Sequence, residues 1–190
     1  MKSLLIENST ESGTVAVAGE GAILARRKFS KAGELAVVIQ EIFLNLSLPD
    51  EIVVGIGPGS YTGLRVASAM AIGIQLALGC PAFGCPSVFG YPDESYYVVG
   101  DARLGAVFLA GIRDQRLIRG PELLPVDEFI LLRPTLGDAP IFAVGPIPGC
   151  GELPILRPAA EYLIRRRENF VAALEPLYLK EPHVTTRKLK

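Results

Sequence analysis

Hydrophobic and polar positions follow two regimes along the first half of the chain. In the first 28 residues the apolar runs are short and punctuated by turn formers. Ser3 to Glu7 is followed by Asn8 to Gly13, Thr14 to Ala18 by Gly19-Glu20-Gly21, and Ala22 to Lys28 closes the series. Runs of this length between Gly, Asn and Ser clusters predict strands, here an antiparallel meander. From Gly33 to Leu46 the period changes: Leu35, Val38, Ile39, Ile42 and Leu46 recur at helical spacing, with Glu34, Gln40, Glu41 and Asn45 between them. Val37, Phe43 and Leu44 widen that stripe beyond one face.

Glu51 to Gly55 is a brief apolar run of the kind that forms a buried parallel strand. The turn Gly55-Ile56-Gly57-Pro58-Gly59 follows it, and Ser60-Tyr61-Thr62-Gly63-Leu64-Arg65 opens a helix to about Leu78, with Ser60 or Thr62 as N-cap. In this helix Gly63, Ala67 and Ala71 form one row of small residues and Ala69, Gly73 and Ala77 another, with bulky apolar residues around the rest. A helix apolar all round has to be covered all round. The sheet covers one face, and part of the remaining cover is expected from another chain. In the second half, Tyr96 to Gly100, Ala106 to Ile112 and Ile141 to Val144 predict strands. Val126 to Leu132 predicts a short helix and Ala159 to Arg167 a helix with a basic end, while Gly145 to Gly151 is the most loop-like stretch.

Composition adds exclusions. The chain has 190 residues, 49% of them hydrophobic and 21% charged, so it has the makings of a core and is too apolar for disorder. With 20 Gly and 15 Pro but no period, collagen-like and linker-like readings fall away. Lys and Arg number 19 against 20 Asp and Glu, and the net charge of -1 gives no overall field toward nucleic acid. Between Val66 and Pro92 there is no charged residue, but Gly79, Pro81, Gly84 and Pro86 interrupt the stretch, and no membrane span is expected. The three cysteines, Cys80, Cys85 and Cys150, and an amino-terminal stretch that meets an acid at Glu7 predict a cytoplasmic chain with reduced thiols.

Candidate chemistry is narrowed most by the single histidine, His183. A His-pair metal site, a Ser-His-Asp triad and a Cys-His dyad all require an imidazole at the reacting centre. The strand, glycine turn and helix N-terminus form an anion-binding arrangement in principle. Yet the spacing Gly57, Gly59, Gly63 is not the dinucleotide fingerprint, and there is no lysine between Lys31 and Lys180 to make a P-loop. A sharp turn for close strand-helix packing is the favoured reading of the glycines. Glu7 could hold a metal through water or be a turn residue. Asp101 and Arg103 could pair across a cleft or on the surface. Ser60 lacks the Gly-x-Ser-x-Gly spacing of a nucleophile elbow. The basic residues Arg165, Arg166, Arg167, Lys180, Arg187, Lys188 and Lys190 could touch RNA phosphates or form a solvated tail.

Gly57-Pro58-Gly59-Ser60-Tyr61-Thr62-Gly63-Leu64-Arg65 resembles, over nine contiguous positions, the signature of the TsaB (YeaZ) family, the bacterial partner in making threonylcarbamoyladenosine on tRNA. Leu5 to Glu11, Val99 to Phe108 and Pro176 to Lys180 resemble further family segments in the same order. The resemblance implies an α/β, two-lobed actin/Hsp70/sugar-kinase-like (ASKHA) fold. Its N-lobe, residues 1–94, would hold a mixed five-stranded sheet and the dimerisation helices, and a shortened C-lobe would take 95–190.

The function so implied is that of a glycoprotease-like, non-catalytic scaffold, which activates a TsaD-type enzyme in modifying adenosine 37 of tRNAs that read ANN codons. That paralogue would carry ATP and metal. A homodimer through the same helices, a TsaE-type ATPase partner and indirect contact with tRNA are also implied. The partner face is expected at Leu35, Val38, Ile39, Ile42, Leu46, Tyr61, Leu64, Arg65, Ala67, Ala71, Ile74 and Leu78, so a charge at Ala71 or Ile74 should release the partner and leave a folded monomer. A nucleotide or interface loop is expected at Glu7, Ser9, Thr10, Gly57, Gly59, Ser60 and Thr62. Glu7 and Asn8 depart from the family's Asp and Thr, which favours a scaffold. The alternative is a self-sufficient nucleotide-binding kinase-like or hydrolase enzyme built on the same loops.

Overall fold

Residues 1–179 are described by the structure, a computed structural model. Strands β1 (Lys2–Glu7), β2 (Gly13–Gly19), β3 (Ala22–Phe29), β4 (Glu51–Gly55) and β5 (Ala82–Cys85) form a mixed sheet in the order β3-β2-β1-β4-β5. The first three are the antiparallel meander, and β1, β4 and β5 run parallel. The parallel crossovers are made by helices α1 (Leu35–Asn45) and α2 (Tyr61–Leu78). A second sheet, β8-β7-β6-β9, comprises β6 (Tyr96–Asp101), β7 (Ala106–Arg113), β8 (Arg116–Pro125) and β9 (Ile141–Ala143). Helices α3 (Val126–Leu132) and α4 (Ala160–Leu163) complete the fold.

Alternation along the strands sorts side chains into layers. Leu4, Ile6, Val15, Val17, Ile52 and Val54 face one side of the first sheet and meet Leu35, Val38, Ile39 and Ile42 of α1 and Ala67, Ala71 and Ile74 of α2. Leu5, Ala16 and Val53 face the other side. There they share one continuous core with Tyr96, Val98, Phe108 and Ala110 of the second sheet and Ala160 and Leu163 of α4. The far face of the second sheet buries Val99, Val107 and Leu109 against Phe129 of α3. By length and composition α2 could cross a membrane. In this structure 33% of that span is buried, with Leu64, Ala67 and Ala71 fully so.

The elements predicted in the first half stand within one or two residues of their expected limits. Ser60, not Thr62, is the N-cap of α2, its hydroxyl accepting from Gly63 N. Strand β8 was not foreseen, because Gly120-Pro121 and the charges at Arg116, Arg119 and Glu122 break its apolar pattern. It is an edge strand, where a missing amide is tolerated. The predicted helix Ala159 to Arg167 is α4 followed by a 3-10 stretch, Ile164–Asn169, broken at Arg166.

The shortened second lobe has a four-stranded sheet among the described residues. Beyond β9 there is one further bridge, where Ala143 pairs with Ile155. After it the chain crosses back, and α4 packs on β1, β2 and β4 of the first sheet. Val171 then bridges Gly84 on the free edge of β5, and Leu177 N donates to Ile56 O at 2.7 Å.

Candidate functional site

The parallel register of β1 and β4, with Ile6 opposite Val54, brings their carboxyl ends side by side. The loops that follow are therefore neighbours. Ser60 N donates to Ser9 O (2.7 Å) and Asn8 Nδ2 to Gly63 O (3.0 Å). Gly57 N donates to Ser87 Oγ (3.0 Å), and Ser87 N returns a bond to Gly57 O (2.8 Å). A Cβ at Gly59 would drive into the Ser9 carbonyl, and one at Gly63 into the Asn8 carbonyl. These two glycines therefore permit close approach of loop to loop. Within the first turn of α2, Gly63 N is taken by Ser60 Oγ (3.2 Å) and Leu64 N by Ser60 O (2.9 Å).

Glu7 is buried at the end of β1. Its Oε1 accepts from Ser9 N at 2.7 Å, while Oε2 makes no hydrogen bond and lies where a Cβ on Gly55 would be. Burial pushes this carboxyl above its ordinary range, opposed in part by Ser9, Ser87 and the Asn8 amide. Tyr91, also buried with an unbonded hydroxyl, is pushed up by burial and then by Glu7.

Of the loop residues expected at a ligand, Glu7, Ser9, Gly59 and Ser60 are thus brought together with Gly57, but they bond to one another. Thr10 spends its hydroxyl on Ser12 O (2.9 Å), and Thr62 is exposed. Ser87 and Gly55 belong to the same cluster and were not singled out from the sequence, since neither sits in a motif with Glu7. Two shallow hollows, of about 370 and 350 Å³, lie elsewhere. One is beside Ile147 and Leu153, the other between the β2-β3 turn and Glu161.

The structure corrects the expected partner face. Leu35, Val38, Ile39, Ile42, Leu64, Ala67, Ala71 and Ile74 are buried in the chain's own core. Leu46 and Leu78 are half-buried and packed against it. The apolar periodicity marked the face toward the sheet. Tyr61 and Arg65 are exposed, and the outward ridge of α2 continues through Ala69, Ile72, Gly73 and Leu76, with Val37 and Leu44 exposed on α1. Leu76 is 80% and Leu44 78% exposed.

At the head of that ridge the Tyr61 and Tyr178 rings lie 5.1 Å apart, and the Arg65 guanidinium stands 5.0 Å over Tyr61 and bonds its hydroxyl. Asp101 and Arg103 do not line a cleft. Arg103 has left the strand for a turn with φ +65°, and its exposed guanidinium is 3.7 Å from Asp101.

The three cysteines are buried free thiols, and burial raises all of them. Arg167 is bonded to the buried Glu51, and Arg166 is itself buried, reaching Gln115 and Asp93 O. Arg165 stands 5.2 Å over Tyr162. His183, Lys180, Arg187, Lys188 and Lys190 lie outside the described residues.

Comparison with known proteins places this geometry. The family model for TsaD, tRNA N6-adenosine threonylcarbamoyltransferase, matches residues 24–91. YeaZ from Pseudomonas aeruginosa superposes with a TM-score of 0.73 at 25% identity, over 94% of this chain and 99% of that one. A second Pseudomonas aeruginosa structure, described as similar to peptidase YEAZ, gives 0.74 at 23% identity over the same shares. The ethanolamine utilization protein EutJ from Carboxydothermus hydrogenoformans shares the fold at 11% identity, with a TM-score of 0.51 over 92% of this chain and 90% of that one. The fold is the actin/Hsp70/sugar-kinase-like one.

An uncharacterized protein of Mycobacterium leprae is 43% identical over 75 residues, 38% of this chain and 21% of its own length. One of Mycobacterium bovis is 32% identical over 144 residues, 70% of this chain and 65% of its own. The chain thus spans less than two thirds of the curated relatives it matches.

Proposed function

From the likeness to YeaZ and the TsaD family model, we propose that this chain is a TsaB-like, non-catalytic accessory subunit of the tRNA threonylcarbamoyl-transfer machinery. It docks on and activates a TsaD-type enzyme in the cytoplasm. The observation that carries this reading is the outward ridge of the α1-α2 layer, with Ala69, Ile72, Gly73 and Leu76 on α2 and Val37 and Leu44 on α1. The ridge is apolar, exposed and built around small residues that let another helix approach closely.

The loop cluster supports the same division of labour. In a nucleotide-binding protein of this fold the carboxyl ends of β1 and β4 would face phosphate. Here the two loops hydrogen-bond to each other, and Glu7 is buried beneath them with Ser9 N on its Oε1. ATP and metal are assigned to the partner, with a TsaE-type ATPase meeting the assembly through it and tRNA held chiefly there. A homodimer through the same ridge is the form in the partner's absence.

The test is twofold. The purified chain should co-elute with its TsaD-type paralogue, and tRNA modification in an extract depleted of both should return only when both are added. Failure of both assays sinks the proposal. Turnover or submicromolar Mg-ATP binding by the chain alone, read by calorimetry, would establish the self-sufficient enzyme instead.

A further inference from the structure

Two aromatic side chains are exposed among the described residues, and they are next to each other. Tyr61 is 41% and Tyr178 38% exposed, while the remaining tyrosines and the phenylalanines are buried or half-buried. Chance scatter would not put the two exposed rings at 5.1 Å with a guanidinium 5.0 Å over one of them. They also come from distant parts of the chain. Tyr61 is the first residue of α2, and Tyr178 is delivered by the terminal segment that Leu177 N fixes to Ile56 O.

We propose that Tyr61, Tyr178 and Arg65 form a stacking platform for an unpaired base of single-stranded RNA, a role that rests on the tRNA-modification reading above. Planar rings and a guanidinium offer π-faces that any base can stack on, and the cation draws the adjoining phosphate. The surroundings suit a nucleotide better than an apolar protein side chain. Thr62 and Ser60, whose hydroxyl caps Gly63 N, are exposed residues beside Tyr61, and the positive end of the α2 dipole points the same way.

The aliphatic part of the ridge begins further on. Ile72 is 11 positions past Tyr61, about 16 Å along the axis at ~1.5 Å per residue. One helix thus offers an aliphatic docking segment and, at its head, an aromatic-cationic one. The net charge of -1 is compatible with this, because stacking on one base needs a local cation and not a whole-protein field.

The experiment titrates the full chain into a fluorescein-labelled RNA hairpin with an unpaired loop, and into a fully paired duplex of the same composition, with anisotropy as the readout. The hairpin should bind more tightly than the duplex. Tyr61→Leu and Tyr178→Leu, which keep apolar bulk at the site, should each weaken hairpin binding by about tenfold. The chain has six Tyr and no Trp, so hairpin binding should also quench its intrinsic tyrosine emission, and the quench should shrink in both variants.

Partner co-elution is measured on the same samples. Variants that bind the hairpin like the parent overturn the proposal, as does a parent that binds hairpin and duplex alike or not at all. Variants that lose the partner but keep the hairpin would make the cluster a protein contact. Loss of co-elution in the parent itself would instead count against the accessory-subunit reading.

Discussion

Leucine 76 and alanine 71 sit on one helix and answer a charge in opposite ways. Leu76 is 80% exposed and Ala71 fully buried against the first sheet. In Leu76→Lys, little apolar surface is lost from the fold, lysine is a good helix former, and its charge lies in the last turn of α2, where the dipole favours a cation. The expected stability change is within about 0.5 kcal/mol, or about 2 °C in Tm for a chain this size. In Ala71→Lys, three further methylenes are forced into a filled layer and an ammonium loses its water without a partner. Together these cost about 4 kcal/mol or more, a large share of the roughly 5–15 kcal/mol that holds a domain together.

Docking reverses the ranking. Covering a leucine at an interface is worth about 1.5–3 kcal/mol, so Leu76→Lys should weaken the TsaD-type partner's hold by about 10- to 100-fold while its melting curve stays in place. Circular dichroism melting and size-exclusion co-elution read the two effects separately. If Leu76→Lys co-elutes as the parent does, or Ala71→Lys melts within a few degrees of it, the assignment of faces on α2 is wrong.

Two further outcomes follow from the loop cluster and the glycines. Since burial raises the Glu7 carboxyl, the folded chain holds a proton there that the unfolded chain releases. Stability from this group is therefore present below the ordinary carboxylate range and lost as pH rises through the raised folded value. Relative to Glu7→Gln, the parent should lose Tm as pH rises above the ordinary carboxylate range; a Tm difference that does not change with pH refutes it. Gly63→Ala and Gly73→Ala place the same residue inside α2 with opposite signs. At Gly73 nothing lies within 4 Å and alanine should stabilise by about 0.5–1 kcal/mol, whereas at Gly63 the Asn8 carbonyl blocks the Cβ and stability should drop by about 1–3 kcal/mol, both read by urea unfolding.

The first sheet was legible because its information is local. Turn residues at Asn8 to Gly13 and Gly19 to Gly21 delimit the meander, and a hydroxyl at Ser60 followed by an apolar run marks the start of α2. Which side of α2 meets the sheet was not legible. Small and apolar residues occur all round the helix, so its orientation is decided by the positions of β4 and β5, which no local window contains. The same holds for the site. Glu7 and the glycine turn stand out in the sequence, but Ser87 and Tyr91 reach them only through tertiary structure. Strand β8 failed for a different reason: its single-sided pairing tolerates Gly120, Pro121 and charged residues that a central strand would reject.

The way the two sheets are joined limits how far the lobes can part. A kinase-like enzyme of this fold needs a cleft that opens between its lobes. Here that space is a continuous apolar core in which Leu5, Val53, Tyr96, Val98, Phe108 and Leu163 take part. The buried Arg166 ties the terminal segment to Gln115 in the β7-β8 turn and to Asp93 O in the connection between the sheets. Parting the lobes would expose that core and leave a desolvated guanidinium without partners, a cost of several kcal/mol that one small ligand would have to return. On the proposed reading, such a chain would meet its partners at fixed outer faces. The faces proposed for that role are the aliphatic ridge of α1 and α2 and the tyrosine pair at its head.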